Sequence, residues 1–143
     1  VSYLLDTNVV SERSRPQPDE RVRAWLRAHT VGETFLSVIT LAELEQGVLR
    51  LGETRRAAEL RSFLGGIEAQ FAGRVLPVDR AVARTWAAMT ARASGNGQPM
   101  GYADSLIAAT ALTHGLSVVT RNVNDFRPAQ VDVINPWESA GAK

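Results

Sequence analysis

The chain contains no cysteine, which excludes disulfides, thiolate nucleophiles and zinc sites built on sulfur. Its single lysine is Lys143, the last residue, so every mechanism that needs an internal catalytic lysine is excluded. Histidine is confined to His29 and His114, which leaves little room for imidazole-based acid–base chemistry. No apolar run approaches the roughly 18 residues that a membrane-spanning helix needs. Val1-Ser2-Tyr3-Leu4-Leu5 runs straight into Asp6 with no leader pattern. The expectation is a cytoplasmic protein without a membrane segment.

What is present is an ordinary globular composition. The chain has 143 residues, of which 45% are hydrophobic and 22% charged, enough to build one core without covalent staples. There is no internal repeat, linker or low-complexity segment, so a single domain over residues 1–137 is expected, with 138–143 as a frayed tail. The net charge of +1 names no partner. Its make-up says more, because all basic residues except Lys143 are arginines. The planar guanidinium suits phosphates, although a genomic base bias produces the same count.

The hydrophobic pattern alternates between strand and helix. Residues 3–5, 34–38, 75–78, 116–120 and 131–134 read as short, largely apolar strands. A short helix beginning at Asp19 presents Val22, Trp25 and Leu26 on one face. Thr40 reads as the N-cap of a helix bearing Leu41, Leu44, Val48 and Leu51, with Glu43 at the capping-box position. Residues 53–71 read as a helix broken or kinked at Gly65-Gly66. Asp79 caps a helix that buries Val82, Trp86 and Met89 and ends near Gly95-Asn96-Gly97. Residues 102–114 form an alanine-rich helix stopped by Gly115. This alternation predicts an α/β fold, three layers deep, around a mainly parallel sheet.

In such sheets, ligands bind beyond the carboxyl ends of the strands. Asp6 ends the first strand. Thr120 ends a later one and is followed by Arg121, Asn122 and Asp125. Asp104 falls in the first turn of the helix before that strand, and Glu43 in the first turn of the helix after the second strand. Four carboxylates from distant segments are thereby directed to one edge. Gathered carboxylates repel one another unless a cation joins them, and an all-oxygen set suits Mg²⁺ or Mn²⁺. Such an ion orients and acidifies a water and stabilises charge on a phosphodiester.

Each residue also has a plainer reading. Asp6-Thr7-Asn8 is equally a strand-ending turn, Glu43 the far half of a cap with Thr40, and Asp104 a complement to the helix dipole. Asp125 is equally a stabiliser of the turn at 124–126. Arg13, Arg15, Arg21, Arg23 and Arg27 are either phosphate contacts or a solvated face. Arg121, beside the expected site, contacts phosphates or pairs with Asp125. Trp25 and Trp86 read as core, and His114 as an ordinary cation at a helix end.

The matching stretches are Leu4-Leu5-Asp6-Thr7-Asn8-Val9-Val10, then residues 37–44 with Gly47, then 103–111, and then Val119-Thr120-Arg121-Asn122 through Asp125-Phe126. In that order they resemble the PIN-domain nucleases, and within them the VapC and FitB-like toxins. Arg15-Pro16-Gln17-Pro18 and Asn135-Pro136-Trp137 are similar to the FitB-like branch. The resemblance implies a Mg²⁺- or Mn²⁺-dependent endoribonuclease acting on cellular RNA. Asp6 and Asp104 would be its principal metal ligands and Glu43 its third acid. Thr7, Asn8 and Thr120 would be supporting polar residues. Some relatives carry the fourth acid directly after Thr-Arg, where this chain has Asn122. Asp125 is taken as that acid, with Asn122 in support. Arg121, Arg13 and Arg15 are the candidates for RNA contact. The resemblance further implies a homodimer and a DNA-binding antitoxin partner.

Two alternatives stand beside this one within the same fold: a housekeeping RNA-processing nuclease, and a catalytically silent binding module. A phosphatase with an aspartyl nucleophile is disfavoured, because Asn8 stands where its second Asp belongs and the internal lysine is missing.

Overall fold

The computed structural model describes residues 1–138. Expectations for 139–143, most of the anticipated tail, lie outside the described residues. Five strands, β1 (Tyr3–Leu5), β2 (Thr34–Ser37), β3 (Val75–Leu76), β4 (Ser117–Val119) and β5 (Val133–Ile134), form one sheet in the order β3-β2-β1-β4-β5. Every pairing is parallel. Leu4 lies beside Phe35 on one side and Val118 on the other.

Among the described residues, seven helices cover the sheet: α1 (Thr7–Glu12), α2 (Glu20–Ala28), α3 (Val38–Arg50), α4 (Arg55–Gln70), α5 (Arg80–Gly95), α6 (Tyr102–His114) and α7 (Val123–Phe126). The two-residue period of a strand sends neighbours to opposite faces. Leu4 and Val118 point to one core with Val82, Met89, Ile107 and Phe126 from α5, α6 and α7. Leu5, Leu36 and Val119 point to the other, with Val9, Val10, Val22, Ile67 and Phe71. This is the expected three-layer α/β/α arrangement. In α6, Ala108, Ala109 and Ala111 are fully buried, and their small side chains let the helix lie close to both the sheet and α5. Gly115 ends α6 in the left-handed region at φ 66°, where a Cβ is disfavoured.

Three expectations need correction. Asp6-Thr7-Asn8 is not a strand-ending turn: residues 7–12 form the helix α1, which was not anticipated, capped by Asp6, whose side chain accepts from the Thr7 N–H. Thr40 does not cap α3. Ser37 does, accepting from the Ile39 N–H, so the helix begins three residues earlier and Glu43 sits in its second turn, outside any capping box. Finally, α4 runs unbroken through Gly65-Gly66. Each glycine costs an exposed helix about 1 kcal/mol relative to alanine, and the burial of Leu64 and Ile67 beside them outweighs that.

Candidate active site

The strand order reverses at β1. The chain leaves β1 for β2 on one side and later returns to β4 on the other, which opens a crevice at the carboxyl ends of β1 and β4. Asp6 and Thr120 stand there as the residues after each strand, and both are buried. The Thr120 hydroxyl donates to Asp6 Oδ2 at 2.7 Å, and the Asn8 amide donates to the same oxygen at 3.2 Å. Asp6 Oδ1 accepts the Thr7 N–H at 2.8 Å. Asn8 also donates to Thr120 Oγ1 and accepts the Arg121 N–H, while the Asn122 N–H donates to Thr120 Oγ1. Thus β1, α1 and the segment after β4 are tied together through one carboxylate. Asn122 contributes its backbone, and its side chain is exposed.

The plainer account of Glu43 is removed by the same geometry. Its carboxylate accepts a short hydrogen bond from the Thr7 hydroxyl, across the crevice from α1. Thr40, buried one turn earlier on α3, places its own hydroxyl 3.4 Å from that of Thr7. Sequence reasoning missed this role for Thr40. The signal was the Ser37-x-x-Thr40 spacing, in which either residue can cap a helix. Asp104 lies in the first turn of α6, half-buried, and Asp125 lies exposed in α7.

Burial raises the Asp6 carboxyl, opposed by the hydrogen bonds from Thr120 and Thr7 and assisted by the charges of Glu43 and Asp125. Asp104 is pushed up to about 6, first by burial and then by the charges of Asp6, Asp125 and Glu43. All four acids therefore share one electrostatic neighbourhood. Among the described residues, no three His, Asp or Glu side chains converge on a single point as they stand, because Glu43 is turned to Thr7 and Asp6 to Thr120 and Asn8. The donor set is made of hard oxygens and its charges repel, which fits a divalent cation such as Mg²⁺ or Mn²⁺. Asp6 and Asp104 are the residues that would hold it.

The sign of the Asp104 shift makes a prediction. A carboxyl raised in the folded state binds its proton more tightly there than in the unfolded chain, so folding is favoured at low pH. In EDTA, Asp104→Asn is expected to melt above the parent at pH 7.5. That gap should close as the pH falls from about 6 toward 3.8, the ordinary value of an aspartate carboxyl. Thermal melts at pH 7.5 and 4.5 check it, and equal melting temperatures at both pH values would refute it.

A cavity of about 390 Å³ borders Thr7, Asn8 and Glu43, and its wall includes Leu44, Phe63 and Trp137. The Arg121 guanidinium lies over the Trp137 ring at 5.2 Å, which replaces the plainer reading of a pair with Asp125. Arg13 donates to Gln70, and Arg15 pairs with Glu12. The histidines are elsewhere. His29 stacks on Trp25 at 3.9 Å, and His114 ends α6 at the opposite edge of the sheet, beside Val1. Imidazole-based acid–base chemistry therefore has no geometry here. Trp86 donates to Ser105 and packs against the core, as expected.

The PIN domain family profile matches residues 3–130. The chain is 42% identical to VapC ribonuclease Y4jK of Sinorhizobium fredii, covering 96% of this chain and 99% of that protein. It is 46% identical to toxin FitB of Neisseria gonorrhoeae, covering 94% and 97%. Among solved structures, FitAcB from Neisseria gonorrhoeae superposes with a TM-score of 0.90 at 45% identity, over 96% of this chain and 99% of that one. FitAB bound to a DNA fragment gives 0.91 at 42%, over 99% of each. Among the described residues, no helix is long and apolar enough to cross a membrane. The chain belongs to the PIN-domain family, in the group whose members are named VapC ribonucleases and FitB toxins.

Proposed function

We propose that this protein is an endoribonuclease that hydrolyses phosphodiester bonds in cellular RNA with a bound Mg²⁺ or Mn²⁺ ion, and that it is the toxin of a toxin–antitoxin pair. The observation that carries the reading is the Asp6 carboxylate, buried at the switch point of the sheet and oriented by Thr7, Asn8 and Thr120, with three further acids in its field. Asp6 and Asp104 hold the ion, and Glu43 and Asp125 complete the acidic set. The ion supplies a Lewis acid and a water of lowered pKa. The protein's part is to keep Asp6 ionised against burial, which the Thr120 hydroxyl and the Thr7 N–H do by donating to it. Glu43, held by Thr7, stands ready to accept a proton at the mouth of the crevice. Arg121, exposed and resting on Trp137, presents its guanidinium to a phosphate.

The antitoxin partner is supported by the relatives. Two similar solved structures are complexes, FitAcB and FitAB, the latter on DNA. A homodimer follows from the same resemblance, and Val38 and Leu49 of α3 are exposed apolar side chains available to such contacts.

The test is cleavage of total and transfer RNA by purified protein free of antitoxin, with Mg²⁺ or Mn²⁺ against EDTA. Discrete, metal-dependent cuts support the reading; cutting that survives EDTA refutes it. Thr120→Val removes the donor to Asp6 and strands the Asn122 N–H. Loss of such an orienting partner typically costs 10–100-fold in metal affinity or activity, and a loss of about thirtyfold is expected. A Mn²⁺ titration separates it from misfolding, because excess metal should restore most of the rate.

A further inference from the structure

A second cavity, of about 610 Å³, lies around the far end of α1 from Asp6. Its wall carries Arg13, Arg15, Arg23, Arg27 and His29, and among the described residues no Asp or Glu lines it. Arg13 donates only to the neutral Gln70. Arg23 and Arg27 share one carboxylate, that of Glu20, at 3.8 and 2.6 Å. Arg15 faces Glu12 at 3.5 Å, but Glu12 is buried and also accepts the Asp19 N–H. Four guanidiniums are thus set against two carboxylates, and the excess positive charge faces the cavity.

Arg15 also lines the cavity that borders Thr7, Asn8 and Glu43. The two spaces therefore meet at this residue. Arg15 and Arg13 follow directly on α1, the six-residue helix whose other end is capped by Asp6, about 9 Å away along the axis. A chain of phosphates leaving the acidic crevice would pass Arg15 and enter the basic cavity. An acidic peptide would satisfy the charge, but nothing would require it to continue from the crevice. The shared arginine favours a single polyanion running through both.

We infer that the arginine-lined cavity between residues 13–18, α2 and the end of α4 is a second RNA-backbone subsite, which holds phosphates of the substrate strand several nucleotides from the cleaved bond. The inference rests on the nuclease reading and extends it from the cleavage site to the track that positions the strand. Arg13 and Arg23 carry most of the unneutralised charge, and they act by binding, not by touching the reacting atoms.

The test compares 4- and 12-nucleotide single-stranded RNAs of mixed sequence. Binding is read in EDTA by fluorescence anisotropy across 50–300 mM KCl, with the parent and Arg13→Gln/Arg23→Gln. Both side chains are exposed, and an unchanged melting temperature confirms the fold. The parent is expected to bind the 12-mer at least tenfold more tightly than the 4-mer. The variant should lose about tenfold on the 12-mer only. Its salt slope should fall by about 1.4, since each phosphate contact to a single strand contributes about 0.7. Equal 12-mer binding by the two proteins, or an equal loss on both lengths, overturns the subsite. So does a variant that loses binding to oligoglutamate but not to RNA, which would assign the cavity to an acidic protein segment. If the 12-mer effect appears while no RNA is cut under any metal, the track stands and the nuclease reading fails.

Discussion

Asp6→Asn is expected to lower metal-dependent RNA cleavage by about a thousandfold while leaving the protein folded. The side chain keeps its shape, and its remaining oxygen still accepts the Thr7 N–H that caps α1. What disappears is the charge at the switch point. If the bound ion stabilises the transition state by several kcal/mol, loss of about 4 kcal/mol corresponds to about three orders of magnitude in rate. Removing a buried carboxylate whose pKa is raised by burial should not lower the melting temperature in EDTA. The measurements are initial rates on one cleaved RNA over a Mn²⁺ series, together with thermal melts. A rate within threefold of the parent would remove Asp6 from the site. A collapsed melting temperature would reassign it to structure.

Phe126→Ala is expected to destabilise the fold by about 4 kcal/mol, the usual range for emptying a fully buried phenylalanine site. At this chain length that is a fall of about 12 °C in melting temperature. Phe126 is fully buried, joining Leu4, Ile107 and Val118 in the core between the sheet and α5–α6. It also anchors α7, the four-residue helix that carries Asp125. Cleavage measured well below the new midpoint should fall as well, because Asp125 loses its anchor. Phe126→Leu, which refills most of the volume, should recover the greater part of both effects. A fall of less than 3 °C for the alanine variant would mean that the α7 contact is not part of the cooperative core.

Much of this was legible in the chain. The apolar runs at residues 3–5 and 116–120 announced strands, and Asp79, Asp19 and Gly115 marked helix ends correctly because capping is a local hydrogen-bond problem. Where two residues competed for one local role, the chain was ambiguous. The spacing to Glu43 gave the cap of α3 to Thr40, whereas Ser37, a residue of the same capping type, holds it at the end of β2, where it pairs with Leu76. The hydrogen bond from Thr7 to Glu43 was invisible for the same reason, since it joins residues brought together by the β1–β2 crossover and not by spacing.

The sequence by itself determined the α/β alternation, the oxygen-only character of the acidic set and the placing of Asp6 and Thr120 at the carboxyl ends of strands. These depend on periodicity and residue chemistry, which are local. Only the tertiary structure decided that β1 and β4 are neighbours, that Asp104 feels the charges of Asp6, Asp125 and Glu43, and that Arg121 rests on Trp137 and not on Asp125. Electrostatic coupling and stacking depend on distance in space, and a parallel sheet sets those distances through crossovers whose direction no single stretch of the chain encodes.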